Sequence, residues 1–420
     1  MLPPQPPAEQ RGRVWSAAIS RPSDSPTETN WTGVLFGFAI AAMAAFQQFK
    51  LPPILPDLLT LYSYDRVFAG GLMSIYAVIG LLASLGLAAA MMRFGPPRIL
   101  TGALVFLFIG NMLGLAAPLS AAAMMAGRAC EGLGFAILAI LGPVYANRNA
   151  APRHLPLAIA LTAIWIPVGQ LSAGALAPLA HALGDWRLVW LISLVVVLIF
   201  GGWARSIYRH QRFDMVAGIG QVTATPISAA ERRRLIVAAI IFLLWSTQYF
   251  AYMTWLPQFL IDFHGLGPTA AIFGYALPVV LLIGFSLLTA RGLRAGLPLA
   301  PLLTGALVLQ AGIWLTMGWA DSAASGLLSL VLYGVGIGIT PVCLFGMPAA
   351  ILGPMRSGPK AFAILMTGRN CGVLIGPILL PQLIVLTADW HAAGPVFSAG
   401  TALAAVLAGG LALALRAAAR

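Results

Sequence analysis

Long apolar stretches separated by short hydrophilic breaks dominate this sequence from residue 31 onward. About 20 apolar residues cross the hydrocarbon of a bilayer as a helix. On that measure the chain reads as twelve spans, at 31–57, 67–91, 99–117, 121–146, 157–180, 186–203, 235–262, 268–290, 297–319, 325–353, 360–387 and 394–415. The longest internal break, 204–234, divides them six and six and reads as a cytosolic central loop between halves 31–203 and 235–415. Residues 1–30 hold six prolines and three arginines without an apolar run, so they read as a disordered cytosolic tail rather than a signal peptide. Residues 416–420 form a cytosolic C-terminus on the same reading.

The halves repeat each other. Gln47, Phe49, Leu55 and Pro56 recur as Gln248, Phe250, Leu256 and Pro257, all at an offset of 201. Gly132 and Gly134 recur at 202 as Gly334 and Gly336, and Gly169, Leu171, Leu176 and Pro178 at 203 as Gly372, Leu374, Leu379 and Pro381. Asp185-Trp186 returns at 204 as Asp389-Trp390. One match is cheap in so apolar a chain, but matches kept in order with slow drift indicate parallel repeats. The predicted fold class is therefore an all-α membrane protein of twelve transmembrane helices in two pseudo-symmetric six-helix halves. Such halves rock about a site near the bilayer midplane in one large class of secondary transporters.

Composition agrees with the spans: 60% of residues are hydrophobic and only 9% charged, against about 25% charged in soluble domains. The net charge of +12 comes from where the cations lie. With the N-terminus inside, 19 of the 24 Lys and Arg fall in cytoplasmic segments and two, Arg66 and Arg187, outside. Cytoplasmic loops carry such an excess. The basic balance is thus a topology signal: an inner-membrane protein with both termini cytoplasmic, and no nucleic-acid partner. The three cysteines all lie in apolar segments without metal-type spacing, so neither a disulfide framework nor a metal is expected. All five histidines fall in loops, and no Walker-type phosphate loop is present. No cofactor, no direct use of ATP and no enzyme activity are expected.

Four charges lie inside the apolar segments: Lys50, Arg128, Glu131 and Arg369. A charge near the bilayer centre costs roughly 2.5–3.5 kcal/mol on insertion scales, so each needs a reason to be there. Three cations against one anion leave the interior with an excess positive charge of two. At 1.5 Å per residue, Arg128 lies about 10 Å deep, Glu131 about 15 Å and Arg369 about 14 Å. Arg128 and Glu131, three apart, share a helix face and form either a self-neutralising pair or a proton-coupling unit. Arg369 has no charged neighbour in its own span, and its planar guanidinium suits bidentate capture of a carboxylate-like anion. The alternative is bonding to helix carbonyls or to Glu131. Lys50 is either a site cation or an anchor that snorkels to water. Gln47 and Gln248, with Tyr249 close by and Asn370 beside Arg369, are candidate cavity-lining groups or simple interhelix contacts. The repeat sets Tyr333 opposite Glu131 and Ile166 opposite Arg369, so the scaffold is symmetric and its charges are not.

Several motifs resemble the major facilitator superfamily over roughly 31–415. The break Met92-Arg93-Phe94-Gly95-Pro96-Pro97-Arg98 is similar to that family's loop between spans 2 and 3. It keeps Arg93, Gly95 and Arg98 as a gating loop, but has Met92 where the acid stands and Ala88 where the first glycine stands. Arg128-Ala129-Cys130-Glu131-Gly132-Leu133-Gly134 resembles the family's Arg-x-x-x-Gly-x-Gly element, linked in relatives to proton coupling or substrate handling. Trp165-Ile166-Pro167-Val168-Gly169-Gln170, Gly184-Asp185-Trp186-Arg187, Trp255-Leu256-Pro257 and Gly368-Arg369-Asn370-Cys371-Gly372 resemble the cyanate and nitroimidazole porter branch. The Gly-Pro pair that marks drug exporters in span 5 is missing from Val168–Gly174.

The expectation is a monomeric secondary transporter moving a small anion by alternating access, with proton-coupled uptake. Arg369, Arg128, Lys50, Gln47, Gln248, Tyr249 and Asn370 would bind substrate, and Glu131 with Arg128 would respond to protons. The competing expectation is a proton-driven exporter of drugs or metabolites on the same fold.

Overall fold

The computed structural model describes residues 28–116, 120–151, 153, 154, 157, 158, 161, 164–210, 227–353, 356 and 359–419. Most of the expected tail and central loop, 1–27 and 211–226, lies outside the described residues, as do the side chains of Ala88 and Met92. Twelve α-helices are present among the described residues: α1 Trp31–Phe49, α2 Leu55–Tyr62, α3 Arg66–Ala116, α4 Ala121–Arg148, α5 Trp165–Ala182, α6 Arg187–His210, α7 Ala229–Asp262, α8 Pro268–Arg294, α9 Leu299–Thr316, α10 Ala323–Leu352, α11 Pro359–Thr387 and α12 Ala393–Ala419. Among the described residues, eleven stretches are long and apolar enough to cross a membrane. The short α5, which carries Gln170, Ser172 and His181, is not among them. It begins at Trp165, and four positions just before it lie outside the described residues.

Proline and glycine set the breaks. The predicted first span splits into α1, a 3₁₀ turn at Pro52–Ile54 and α2, because Pro52 and Pro53 have no N–H to continue the helix. Spans 2 and 3 run together as α3, which turns at Gly95 (φ 74°, ψ 154°) before Pro96 and Pro97. That backbone region is open essentially to glycine alone. Helix α7 starts ahead of its apolar stretch because Ser228 and Glu231 form a capping box: Ser228 Oγ accepts from Glu231 N, and Glu231 Oε2 from Ser228 N.

Helices α1–α6 form one half and α7–α12 the other, with matching internal packing. Helix α1 packs on α4 and α5, as α7 does on α10 and α11, and α3 on α6 as α9 on α12. Between the halves, α3 packs on α11 and α5 on α8, two contacts exchanged by the pseudo-twofold. Within the second half, α7 and α11 pack backbone to backbone along one seam. Gly368, Gly372 and Gly376, one per turn, sit over the carbonyls of Ala239, Leu243 and Thr247, where an added Cβ would come within 2.0, 2.4 and 2.1 Å. Small residues at such spacing let membrane helices approach backbone to backbone. The seam fixes the height and rotation of Arg369. Outward-facing side chains such as Leu198, Leu386 and Val406 are exposed and apolar, as a lipid-facing surface requires.

Candidate transport site

The first cluster starts from the break in α1. Pro52 leaves the carbonyl of Gln48 without its helical donor. Arg128 of α4 supplies one: Nη2 donates to Gln48 O at 3.0 Å, Nη1 to Gln47 O at 2.8 Å, and Nε to Leu72 O at 3.1 Å. A cation at a helix C-terminus also complements the helix dipole. The guanidinium thereby ties α1, α3 and α4 together.

A buried guanidinium needs a counter-charge. Glu131 Oε2 accepts from Arg128 Nη1 at 2.7 Å and from Tyr76 Oη at 2.9 Å, while Oε1 accepts from Lys50 Nζ at 2.7 Å. Lys50 Nζ also donates to Asn111 Oδ1 at 2.6 Å and Gln47 Oε1 at 2.9 Å, and stands 4.5 Å from the Trp190 ring centre. Ser193 Oγ donates to Gln47 Oε1 at 2.7 Å. Lys50 and Glu131 are wholly buried, so Lys50 does not snorkel. Two cations share one carboxylate here, and the cluster carries a net charge of +1.

The other half builds a neutral counterpart. Gln248, the repeat partner of Gln47, accepts from Trp314 Nε1 at 2.7 Å and Tyr333 Oη at 2.8 Å, and donates to Gln310 Oε1 at 2.8 Å. Gln310 in turn accepts from Trp245 Nε1 at 3.0 Å and donates to Thr340 Oγ1 at 2.8 Å. Tyr333 stands where the repeat puts Glu131, so a phenol replaces the carboxylate and no cation is needed.

Arg369 has a different setting. Its Nη1 donates to Asn370 Oδ1 at 3.1 Å, and its guanidinium carbon lies 5.5 Å from the Phe250 ring centre. Among the described residues no carboxylate comes within 4.0 Å of it. Phe250 stacks on Phe49 across the halves at 5.9 Å. Tyr249 bridges them too: its hydroxyl donates to Gln170 Oε1 at 3.1 Å, and Gln170 Nε2 donates to Tyr275 Oη at 3.0 Å. The structure thus brings Lys50, Arg128, Glu131 and Gln47 into one cluster and sets Arg369, Asn370 and Tyr249 near the seam between halves. It leaves Gln248 inside its own half.

The halves also join at the end of the bundle away from the chain termini. Arg66 pairs with Asp262 at 3.0 Å and lies 5.7 Å over Trp390. Ser74 Oγ donates to Leu374 O at 2.8 Å. Pro381 frees the carbonyl of Pro377, which accepts from Trp255 Nε1 at 2.9 Å and packs on Gly70, where a Cβ would come within 2.0 Å. At the opposite end Arg93 and Arg98 are exposed on either side of the Gly95 turn, and Arg93 lies 5.3 Å over Phe94. Asn111, Ser193, Tyr76 and Gln310 belong to these networks without being singled out by the sequence pattern. The available signal was only that each is a polar group inside an apolar segment.

The family model described as Major Facilitator Superfamily matches residues 37–358. The chain belongs to the major facilitator superfamily. No curated protein matches it. Among solved structures it is similar to the D-xylose–proton symporter, with a TM-score of 0.72 over 90% of this chain and 97% of that chain, at 16% identity. That likeness is one of fold. The superfamily fold accounts for the multi-pass architecture, and it makes the seam between halves the place where a small solute would be held.

Proposed function

We propose that this protein is a secondary active transporter that takes up a small anion by alternating access, coupled to protons, in the inner membrane with both termini cytoplasmic. The observation that carries the proposal is Arg369, a cation about 15 Å along α11 with no carboxylate within 4.0 Å among the described residues. Among the described residues its one hydrogen bond is to Asn370, which leaves most of its five donors for a ligand. Asn370 and Tyr249 complete the cradle. Lys50 and Arg128 add their excess positive charge at a distance, since Gln47, Glu131 and backbone carbonyls already occupy their donors. Gln248 acts through the packing of its half.

The test is a thermal-shift series on the purified protein with cyanate, nitrate and short carboxylates across pH 5–8. An anion at 100 times its Kd stabilises the folded state by about 2.7 kcal/mol. The proposal expects at least one anion to stabilise the wild type and Arg369→Gln to lose that stabilisation. Equal stabilisation of both proteins would remove the anion site.

A further inference from the structure

Of the charged groups in the buried cluster, a guanidinium is not deprotonated in proteins, which leaves Lys50 and Glu131 as the two that can exchange a proton. Gln47 faces Lys50 from α1, Asn111 from α3, Glu131 from α4, and Ser193 and Trp190 from α6, with Arg128 and Tyr76 on the far side of the carboxylate. The charged groups among these are Glu131 and Arg128.

Charge counting separates the two candidates. Protonating Glu131 would take a buried cluster from +1 to +2 and displace one of the donors on its oxygens, which accept from Lys50, Arg128 and Tyr76. Deprotonating Lys50 takes it from +1 to zero and leaves the Glu131–Arg128 pair intact. The amine keeps two N–H groups for its three close oxygen partners, and Gln47 Oε1, which has other donors, can lose its share. The Ser193 hydroxyl, 3.4 Å away, donates to the freed lone pair once it gives up its bond to Gln47 Oε1, which still accepts from Asn111 Nδ2. A neutral buried cluster costs less than a doubly charged one.

Lys50 is also linked to the seam. It closes α1 directly after Phe49, Phe49 stacks on Phe250 of the other half, and Phe250 covers Arg369. A change in how Lys50 is held bears on the break at Pro52 and, through two rings, on the anion cradle. We infer that Lys50, rather than Glu131, carries the coupled proton, an inference that rests on the proton-coupled reading above. In the step, the Nζ–H bond breaks, the electron pair stays on nitrogen and the proton passes to water once the anion has left Arg369. Hydronium on the uptake side gives its proton back to the Nζ lone pair, leaving water, as the next anion binds.

Two measurements test this. In weakly buffered detergent solution, a pH-indicating dye reads proton uptake on adding nitrate, cyanate, acetate or phosphate, with bound anion measured in parallel. The wild type is expected to take up a proton with each bound anion, and Lys50→Arg, which keeps the charge and the donors, to take up none. A Lys50→Arg protein with wild-type proton uptake per bound anion overturns the inference while the coupling stands. A wild type that binds an anion with no proton uptake overturns both. The second measurement needs no anion and no substitution at Lys50. Lys50 and Lys360 are the two lysines of the chain, and Lys360 is exposed, so Lys360→Arg leaves Lys50 alone. With ¹⁵N-labelled lysine, the Nζ resonance is expected to pass between ammonium and amine forms over the pH range in which the protein stays folded. An Nζ that stays ammonium throughout overturns the inference by itself.

Discussion

Arg128 Nη2 donates to the carbonyl of Gln48 over 3.0 Å, at an oxygen that Pro52 strips of its helical donor. One proline therefore explains three features together: the break in α1, the buried guanidinium on α4 that caps it, and the carboxylate that neutralises that guanidinium. The same logic recurs at Pro381, whose missing N–H exposes the Pro377 carbonyl to Trp255. In a bilayer, where water is not available to satisfy a freed carbonyl, a side-chain donor must do so.

Removing Arg128 leaves Glu131 short of a partner and Gln48 O bare. Glu131 keeps Lys50 and Tyr76, so Arg128→Gln is expected to destabilise the protein by about 1–3 kcal/mol, the cost of leaving a buried acceptor without its donor. Thermal unfolding in detergent measures it. Because the residues share one network, Arg128→Gln with Glu131→Gln should cost less than the two single changes summed.

The α7–α11 seam makes a steric prediction. Gly376→Ala would bring a Cβ to 2.1 Å from the Thr247 carbonyl, and overpacking of this kind costs about 1–3 kcal/mol. Gly312→Ala meets nothing within 4 Å and should hold or slightly raise the unfolding temperature, because alanine favours a helix interior over glycine. Comparing the two variants by thermal unfolding checks the seam independently of any ligand.

Much of the architecture was legible in the sequence. Apolar stretches of bilayer length gave the spans, and matched residues at offsets of 201–204 gave the halves. The four intramembrane charges stood out because an apolar segment has no cheap place for them. What joined them did not. Lys50 and Glu131 are 81 residues apart, and their contact depends on how α1 and α4 pack, which no local pattern states. Arg128 with Glu131 was readable because three residues on one helix fix the geometry. Asn111 and Ser193 were invisible because a single amide or hydroxyl in a transmembrane helix is common and usually bonds its own backbone. The split of the first span was implicit in Pro52-Pro53 but masked by the apolar run through it.

A surface ion pair gives a pH prediction. Glu231, in the hydrophilic first turn of α7 ahead of Leu235, accepts from Arg356 at 2.7 and 3.0 Å. The Arg356 hydrogen bonds, with the Ser228 backbone, hold its carboxyl down at about 2. A depressed carboxyl stabilises the fold fully above its unfolded value of about 4.3 and loses that contribution as pH falls toward the folded one. The difference in unfolding temperature between wild type and Glu231→Gln should therefore be constant above about pH 5 and shrink below it. Solvent screening keeps it small. A difference that grew on acidification would contradict the pairing.

The anion cradle at Arg369 is the central claim, and transport by an Arg369 variant tests it most directly. In proteoliposomes loaded with an anion that stabilises the wild type, counterflow of the same anion is measured for wild type and Arg369→Ala, alongside inserted protein and unfolding temperature. The account predicts that Arg369→Ala inserts normally and loses counterflow at least tenfold, about 1.4 kcal/mol of binding or barrier free energy. Undiminished counterflow by that variant would contradict it.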